Sequence, residues 1–388
     1  MSYPQSSVIR PNILNHSPNN PINSMNSINS NNSDTASPQH FLFHNSMLYL
    51  SIIIPVRNEE RFIADTLNML ANQDYPKDRF ELIVVDGRST DNTRAEVDKF
   101  INLHHDINVR LLDNPGRLSS RARNIGINAA RGQLIGVVDG HVYIPNGHLF
   151  KNMERLKEKN SALCLARPAP LDVPGLEQGI PFWIAVARKS WLGHSRNSYI
   201  YSNFEGFVDP MSSGFAYDRS VFKKVGYFDE SFDAAEDVEF HFRLKQAGIM
   251  AYTSPDLLIY SYPRESLSSL FHQQVRYGAG RARLVRKHLG ALTKETPIPA
   301  VIFVFWAVFP LAVLFTLRFP SIGIAYVMLM AFYCLILLVT GISEALARKT
   351  FVPGFLVAAA TWVTHMGLGW GFLKTIFPAT HASANVKK

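Results

Sequence analysis

The chain has 388 residues, 47% of them hydrophobic, and a formal net charge of +8 at pH 7. That length and apolar share exceed one average soluble domain, and the positive balance suits a phosphate-rich partner: a nucleotide, a nucleic acid or an anionic membrane face. Its two cysteines, Cys164 and Cys334, stand far apart, which excludes a disulfide framework or a Cys-x-x-Cys metal site and fits a reducing compartment.

Residues 1–46 are dominated by Asn, Ser and Pro. Such a stretch buries too little apolar area to offset its ordering entropy, so a disordered tail is expected. It lacks the basic-then-apolar layout of a secretory signal. Leu48–Val56 (LYLSIIIPV) is a β-branched, apolar run closed by Pro55, a first buried strand. Between Glu60 and Asn72, the spacing of Phe62, Ile63, Leu67 and Leu70 gives one helical face. Phe80–Val85 is a second strand, followed by Asp86-Gly87-Arg88 and the helix-capping residues Ser89, Thr90 and Asp91, with a helix to about Leu103. Val109–Leu112 is a short third strand, and Ser119–Ala130 a helix that Gly132 ends. QLIGVVDGHVY, Gln133–Tyr143, opens as a buried strand and breaks at Asp139-Gly140-His141. Strand alternating with helix predicts an α/β fold, a mostly parallel sheet with helices on both faces.

Beyond Pro145 the pattern is less regular. A helix near Gly147–Lys159 precedes a strand at Ala162–Ala166. In the aromatic and basic segment that follows, Arg188, Lys189, Trp191 and His194 fit acceptor contact, membrane docking or plain packing equally. AAEDVEFHFRLKQAG is a helix with Glu236 and Asp237 in its first turn. From Leu267 a helical segment carries Arg276, Arg281, Arg283, Arg286 and Lys287, and it could rest on anionic lipid as an interfacial helix. Three apolar stretches follow, about Ile298–Leu317, Phe319–Ser343 and Phe351–Leu373. Each is long enough for a ~30 Å hydrocarbon core, and the basic residues before them place the large domain on the cytoplasmic side. The expected division is a tail at 1–46, an α/β domain at 47–263, a basic interfacial segment at 264–296, a membrane domain of about three helices at 297–377, and a tail at 378–388.

Three strand ends converge on one edge of such a sheet, where ligands bind in open α/β folds. The first supplies Pro55, Arg57 and Glu59, the second Asp86, and the third Asp139 and His141. An Asp and a His together can hold a divalent metal, which would meet phosphate. Taken singly, each has a plainer reading. Asp86-Gly87 and Asp139-Gly140 read as turns, Arg57 and Glu59 as a surface pair, and Glu236 and Asp237 as acids favoured by a helix dipole. The first strand is followed by V-R-N-E-E rather than G-x-G-x-x-G, and no G-x-x-x-x-G-K-[ST] occurs, so dinucleotide-binding and P-loop chemistry are disfavoured.

Taken in order, SIIIPVRNEE, VVDGRSTDNT, ARNIGINAARGQLIGVVDGH, AEDVEFHFR and QQVRYG resemble the motifs of glycosyltransferase family 2, which has the GT-A fold. The resemblance covers about Leu48–Lys287. With the apolar stretches behind it, the chain most resembles the succinoglycan-type bacterial exopolysaccharide glycosyltransferases, whose metal motif also reads D-G-H. This implies a membrane-anchored, inverting enzyme that moves a hexosyl group, glucose from UDP-glucose, to a lipid-linked or growing saccharide. Pro55, Arg57, Glu59 and Asp86 would line the nucleobase and ribose pocket, with Asp86 accepting from the base, and Arg123 would approach the diphosphate. Asp139 would bind a Mn²⁺ or Mg²⁺ ion bridging that diphosphate. His141 stands where D-x-D is more usual, and imidazole suits Mn²⁺ better than Mg²⁺. Asp237 matches the catalytic base. Glu236, Gln273 and Tyr277 would face acceptor and diphosphate, the last two with Arg276 resembling Q-x-x-R-W with Tyr for Trp. Arg276 would hold the leaving diphosphate and Tyr277 would stack on the acceptor sugar. The rival readings are a polyprenyl-phosphate glycosyltransferase, a processive polysaccharide synthase and a non-catalytic nucleotide-sugar-binding subunit. Nucleic acid ranks low as a partner, because the basic residues lie beside apolar spans rather than along a separate face.

Overall fold

The structure, a computed structural model, describes residues 47–194, 198–349 and 354–377. The tails expected at 1–46 and 378–388, and the start of the third apolar stretch, lie outside the described residues. The elements run β1 (Leu50–Val56), α1 (Ile63–Ala71), β2 (Phe80–Asp86), α2 (Thr93–Leu103), β3 (Asn108–Asp113), α3 (Ser119–Ala129), β4 (Leu134–Val137), β5 (Val142–Tyr143), α4 (Leu149–Asn160) and β6 (Cys164–Ala166). They continue with α5 (Gly179–Lys189), β7 (Gly206–Val208), β8 (Gly214–Asp218), α6 (Arg219–Val225), α7 (Glu236–Gln246), β9 (Ala251–Thr253) and β10 (Tyr260–Ser261). After these come α8 (Leu267–Lys287), α9 (Ile298–Ala307), α10 (Phe309–Phe315), α11 (Pro320–Ala347) and α12 (Gly354–Ile376).

β1 and β2 are apolar on both faces because both are covered, and their β-branched residues suit that place. The sheet order is β3-β2-β1-β4-β8-β6-β9-β7. β3, β2, β1 and β4 are parallel, in a register that sets Val56 beside Asp86 and Ile53 beside Val137. β8 then enters antiparallel between β4 and β6, while β6 and β9 are parallel. Two apolar layers flank the sheet. One gathers Ile52, Leu67, Phe80 and Phe150, the other Ile53, Ile83, Ile127 and Phe240. A separate antiparallel pair, β5 and β10, sits just beyond the Asp139-Gly140-His141 turn.

Two expectations need correction. Gly132 does not end α3. The helix stops at Ala129, and Ala130 leaves in an extended conformation. Gly132 is needed because β1 passes too close for a side chain: a Cβ there would lie 2.6 Å from both Ser51 N and Tyr49 O. The first apolar stretch is also not one straight span. It breaks into α9 and α10 at 52°. Pro310 in the first turn of α10 lacks the N–H a continuing helix would donate, and its ring crowds the preceding turn. α11 and α12 are each long and apolar enough to cross a membrane.

α8, read as an interfacial helix, is packed lengthwise on α12. The contact is at backbone distance. A Cβ on Gly278 would meet Leu368 O at 2.1 Å, and one on Gly371 would meet Val275 O at 2.0 Å. Small residues allow this approach, as at helix seams in membranes.

Gly132→Val should lower stability by about 1–3 kcal/mol, the usual cost of overpacking. Thermal unfolding in detergent checks this; an unchanged midpoint would contradict the close approach to β1.

Candidate active site

The carboxyl ends of β1, β2 and β4 lie side by side, and each delivers its motif to the same edge. After β1 the exposed Arg57 lies across Gly87, whose missing Cβ would sit 3.4 Å from Arg57 Cβ and Cδ. Glu59 turns instead toward the third motif, its Oε1 at 2.9 Å from His141 Nδ1. Gly140 makes that turn possible, since a Cβ there would be 2.8 Å from Val56 Cγ1.

Asp86 is fully buried. Ser89 donates to it from N (3.1 Å) and Oγ (2.5 Å), and Arg94 Nη1 donates at 2.8 Å. The carboxylate fixes the turn after β2 and anchors Arg94, a residue the motif reading missed. Its signal was there: Arg94 is eight residues on, at the start of α2 beside the strand end.

The centre of the site is Arg123 on α3. Its Nη2 is 3.9 Å from Asp139 Oδ1 and 3.4 Å from Glu236 Oε1, and the guanidinium lies over the Phe228 ring. Burial would lower its pKa, but Glu236, Asp237 and Asp139 outweigh that and hold it raised. The end of β4 and the start of α7 thus face one another across a single cation. Burial pushes the Asp139 carboxyl up, yet Arg123, His141, Arg167 and Arg264 bring it below the usual range. Burial likewise works against charge on His141, but the hydrogen bond with Glu59 and the nearby Asp139 raise its pKa.

The segment before α7 is fastened from two sides. From α3, Asn124 donates to Phe228 O (2.9 Å) and accepts from Phe228 N (3.0 Å), while Ser120 Oγ donates to Phe232 O (2.9 Å). From α8, Arg276 Nη2 donates to Asp233 O at 2.8 Å and Arg283 pairs with the Asp233 carboxylate. Gly280 lets α8 press onto Ala234, where a Cβ would be 2.5 Å from the carbonyl oxygen. Between these clamps Ala235 is left-handed at φ 62°, an unfavourable conformation for a residue with a Cβ, and the next two residues are Glu236 and Asp237. Asn124, inside the ARN triplet, and Ser120 were not foreseen as latches.

Gln273 lies within hydrogen-bonding reach of Tyr277 Oη (3.3 Å) and, with its amide oxygen turned that way, of Arg264 (3.0 Å). The charge of Arg264 reaches Asp139 and His141, joining this motif to the site. Arg167, at the end of β6, is buried, donates to Ile259 O at 2.9 Å and acts on Asp139. Neither Arg264 nor Arg167 belongs to a motif. Both are consequences of topology. The site holds more guanidinium groups than carboxylates, so it favours an anion such as a diphosphate.

Among the described residues no three His, Cys, Asp or Glu side chains converge as a metal cage. Asp139 and His141 suit an ion whose remaining positions are filled by substrate phosphates, which is how Mg²⁺ and similar ions are commonly held. Glu59 on Nδ1 leaves Nε2 of His141 for such an ion, the usual carboxylate–histidine arrangement around metals.

Such a fold, with a charged cluster gathered at the carboxyl ends of its parallel strands, is of the GT-A type. It resembles the mannosyltransferase PcManGT of Pyrobaculum calidifontis, solved with GDP-Man and Mn²⁺, at a TM-score of 0.56 and 18% identity, covering 86% of this chain and 88% of that one. The sequence model for glycosyl transferase family 2 matches residues 51–226, and that for glycosyl transferase family group 2 matches residues 183–374. The dolichyl N-acetyl-alpha-D-glucosaminyl phosphate 3-beta-D-2,3-diacetamido-2,3-dideoxy-beta-D-glucuronosyltransferase of Methanococcus voltae is 30% identical over 245 residues, 62% of this chain and 75% of that protein. Succinoglycan biosynthesis protein ExoA of Rhizobium meliloti is 26% identical over 330 residues, 84% of this chain and 94% of that protein. The chain belongs to glycosyltransferase family 2.

Glu239, two residues beyond Asp237, is buried; it pairs within α7 with Arg243 (2.9 Å) and ties α7 to the end of α8 through Lys287 (2.7 Å) and His288 (3.1 Å). Burial raises its pKa, but hydrogen bonds from Arg243, Lys287 and His288 prevail and lower it. A lowered folded pKa contributes stability that is present above the ordinary Glu range and lost as pH falls through the folded value. Glu239→Gln should cost about 1–3 kcal/mol at neutral pH, because charge-assisted hydrogen bonds from the partly exposed Arg243 and Lys287 are lost. Unfolding midpoints across the acid range should fall less steeply in the variant than in the wild type.

Proposed function

We propose that this chain is a membrane-anchored, inverting, metal-using transferase. It takes a hexosyl group, glucose by sequence resemblance, from a uridine-diphosphate sugar and delivers it to a lipid-linked saccharide on the cytoplasmic side. The observation that carries this reading is that Asp139 and the Glu236–Asp237 pair flank one guanidinium, Arg123. The donor-binding strand edge and the acid–base helix therefore share one cleft. The dolichyl-phosphate-linked saccharide in the name of the Methanococcus relative favours a lipid-linked acceptor, and the succinoglycan biosynthesis in the name of ExoA favours a saccharide product. The apolar helices α11 and α12 supply the anchor, and Arg281, Arg286 and Lys287 before them favour a cytoplasmic site.

Each residue has a role the geometry allows. Pro55, Arg57 and the Asp86-anchored Arg94 border the nucleoside. Asp139 and His141 would hold a divalent ion, which when bound neutralises charge on the departing diphosphate. Arg276 spends one donor on Asp233 O and keeps its others for that diphosphate. Oδ1 of Asp237 accepts from Val238 N at 2.8 Å, while its other oxygen has no hydrogen bond among the described residues. That oxygen takes the proton of the acceptor hydroxyl as it attacks the anomeric carbon opposite the leaving group. One base and one displacement invert the centre. Tyr277, exposed on α8, offers its ring to the acceptor sugar.

Asp237→Asn should lower transfer by about 10²–10⁴-fold, the worth of a general base, while uridine diphosphate still binds by calorimetry; near-wild-type transfer would reject the assignment. His141→Asp should move the ion preference from Mn²⁺ toward Mg²⁺, read as the ratio of transfer rates with each ion, because carboxylate suits the harder ion.

A further inference from the structure

Four residues beyond Asp237, on the same side of α7, is a histidine that the chemistry above does not use. His241 is buried, and so is its partner, Tyr217 of β8. Tyr217 Oη lies 2.7 Å from His241 Nε2 and 3.0 Å from Gly214 O. A carbonyl can only accept, so the hydroxyl proton goes to Gly214 O and Nε2–H of His241 donates to Tyr217 Oη. The ring fits because Gly214 has no side chain: a Cβ there would stand 2.8 Å from His241 Nε2. Burial, reinforced by the charge of Arg123, holds the pKa of His241 down to about 3, so the imidazole stays neutral.

The pair sits beneath the reaction centre. The charges of Arg123, Asp237 and Arg167 all bear on the Tyr217 hydroxyl. In the sheet, Tyr217 is the register partner of Ile135 in β4, the strand that leads to Asp139. A bond from His241 to Tyr217 therefore ties the helix carrying the acid pair to the neighbour of the strand carrying the metal motif.

Packing does not explain this polar pair. The layer around it is aromatic: Phe228 and Phe240 stack at 4.4 Å, and Phe222 and Phe240 meet the Tyr217 ring edge-on at 5.7 and 5.2 Å. An apolar pair of the same shape would hold such a layer about as well. What a hydrogen bond adds is a fixed distance and direction. α7 needs both, because its other fastenings point away from the sheet. α3 and α8 clamp the loop before it, Glu239 ties it to α8, and Arg243 and Lys245 reach Val225 O and Asp209. Among the described residues, no other α7 side chain hydrogen-bonds to a strand.

We propose that His241 is a positioning residue, whose hydrogen bond to Tyr217 sets α7 on the sheet at the rotation that aims the Asp237 carboxylate. The proposal rests on the transferase reading above, in which Asp237 is the base. His241 itself touches neither substrate nor proton.

The test uses the full chain in detergent micelles. The donors are the uridine-diphosphate sugars of glucose, galactose and N-acetylglucosamine, and the acceptors are lipid-linked saccharides extracted from membranes of the source cells. Tyr217→Phe removes one oxygen, and His241→Leu removes the N–H. Each should lower kcat by about 10–100-fold, since misplacing a reacting group by about 1 Å costs the upper figure. Donor KM and the binding of uridine diphosphate with Mn²⁺ should not change. The double variant should lose no more than the worse single one, because both break the same bond. His241→Gln, whose amide offers an N–H at about the reach of Nε2, should restore kcat to within about twofold of the wild type. Phe222→Leu loosens the same aromatic layer without touching the bond, and should lower the unfolding midpoint but not kcat. If His241→Leu fails to bind uridine diphosphate, Tyr217→Phe decides alone. Wild-type kcat in Tyr217→Phe, additive losses, no rescue by His241→Gln, or an equal fall in Phe222→Leu would overturn the positioning role and leave the transferase standing. A wild type that transfers nothing from any of the three donors would instead sink the transferase reading, and the positioning role with it.

Discussion

Much of this structure depends on one buried cation held between carboxylates. Arg123 is 12% exposed, and a guanidinium so far out of water is tolerable only when paired. Its partners come from distant parts of the chain, Asp139 after β4 and Glu236 at the start of α7. Without Arg123, acids at those two ends would repel one another. With it, they are fixed before any substrate arrives, and electrostatic catalysis is effective because such dipoles and charges need not reorganise during the reaction.

The same logic extends to the entry of α7. Ala235 is left-handed, a conformation costing about 1–2 kcal/mol for a residue with a Cβ. Strain of this kind persists where surroundings over-determine it. Here α3 grips the preceding loop through Ser120 and Asn124, and α8 grips it through Arg276, Arg283 and the bare backbone of Gly280. Arg276 therefore has two duties: part of it braces the turn that aims Asp237, and the remainder faces the cleft.

The sheet was readable because its cause is local. Runs such as LSIIIPV and FELIVVD are apolar on both faces, and only a covered parallel strand accommodates that. Most motif residues were also found where strand ends place them. What the sequence could not show was which partner each would choose. Glu59 turned to His141 rather than standing free, and Asp86 took Ser89 and Arg94 as partners. Arg167 and Arg264 reach the site only through antiparallel insertions late in the chain, which no spacing rule anticipates. Gly132 and Pro310 were both visible as letters. The closeness of β1 that explains the first is a tertiary fact, and the break made by the second interrupts a stretch whose hydropathy alone looked continuous.

α8 has two sides with different obligations. One presents Gln273, Arg276 and Tyr277 to the cleft, and the other rests directly on the backbone of α12 through Gly278 and Gly371. The catalytic portion is therefore not a head that can be cut from its stalk. A water-soluble fragment ending ahead of residue 298 would keep every motif, yet it would lose the buttress behind the helix that braces the entry of α7 and leave a greasy, glycine-floored trench in its place.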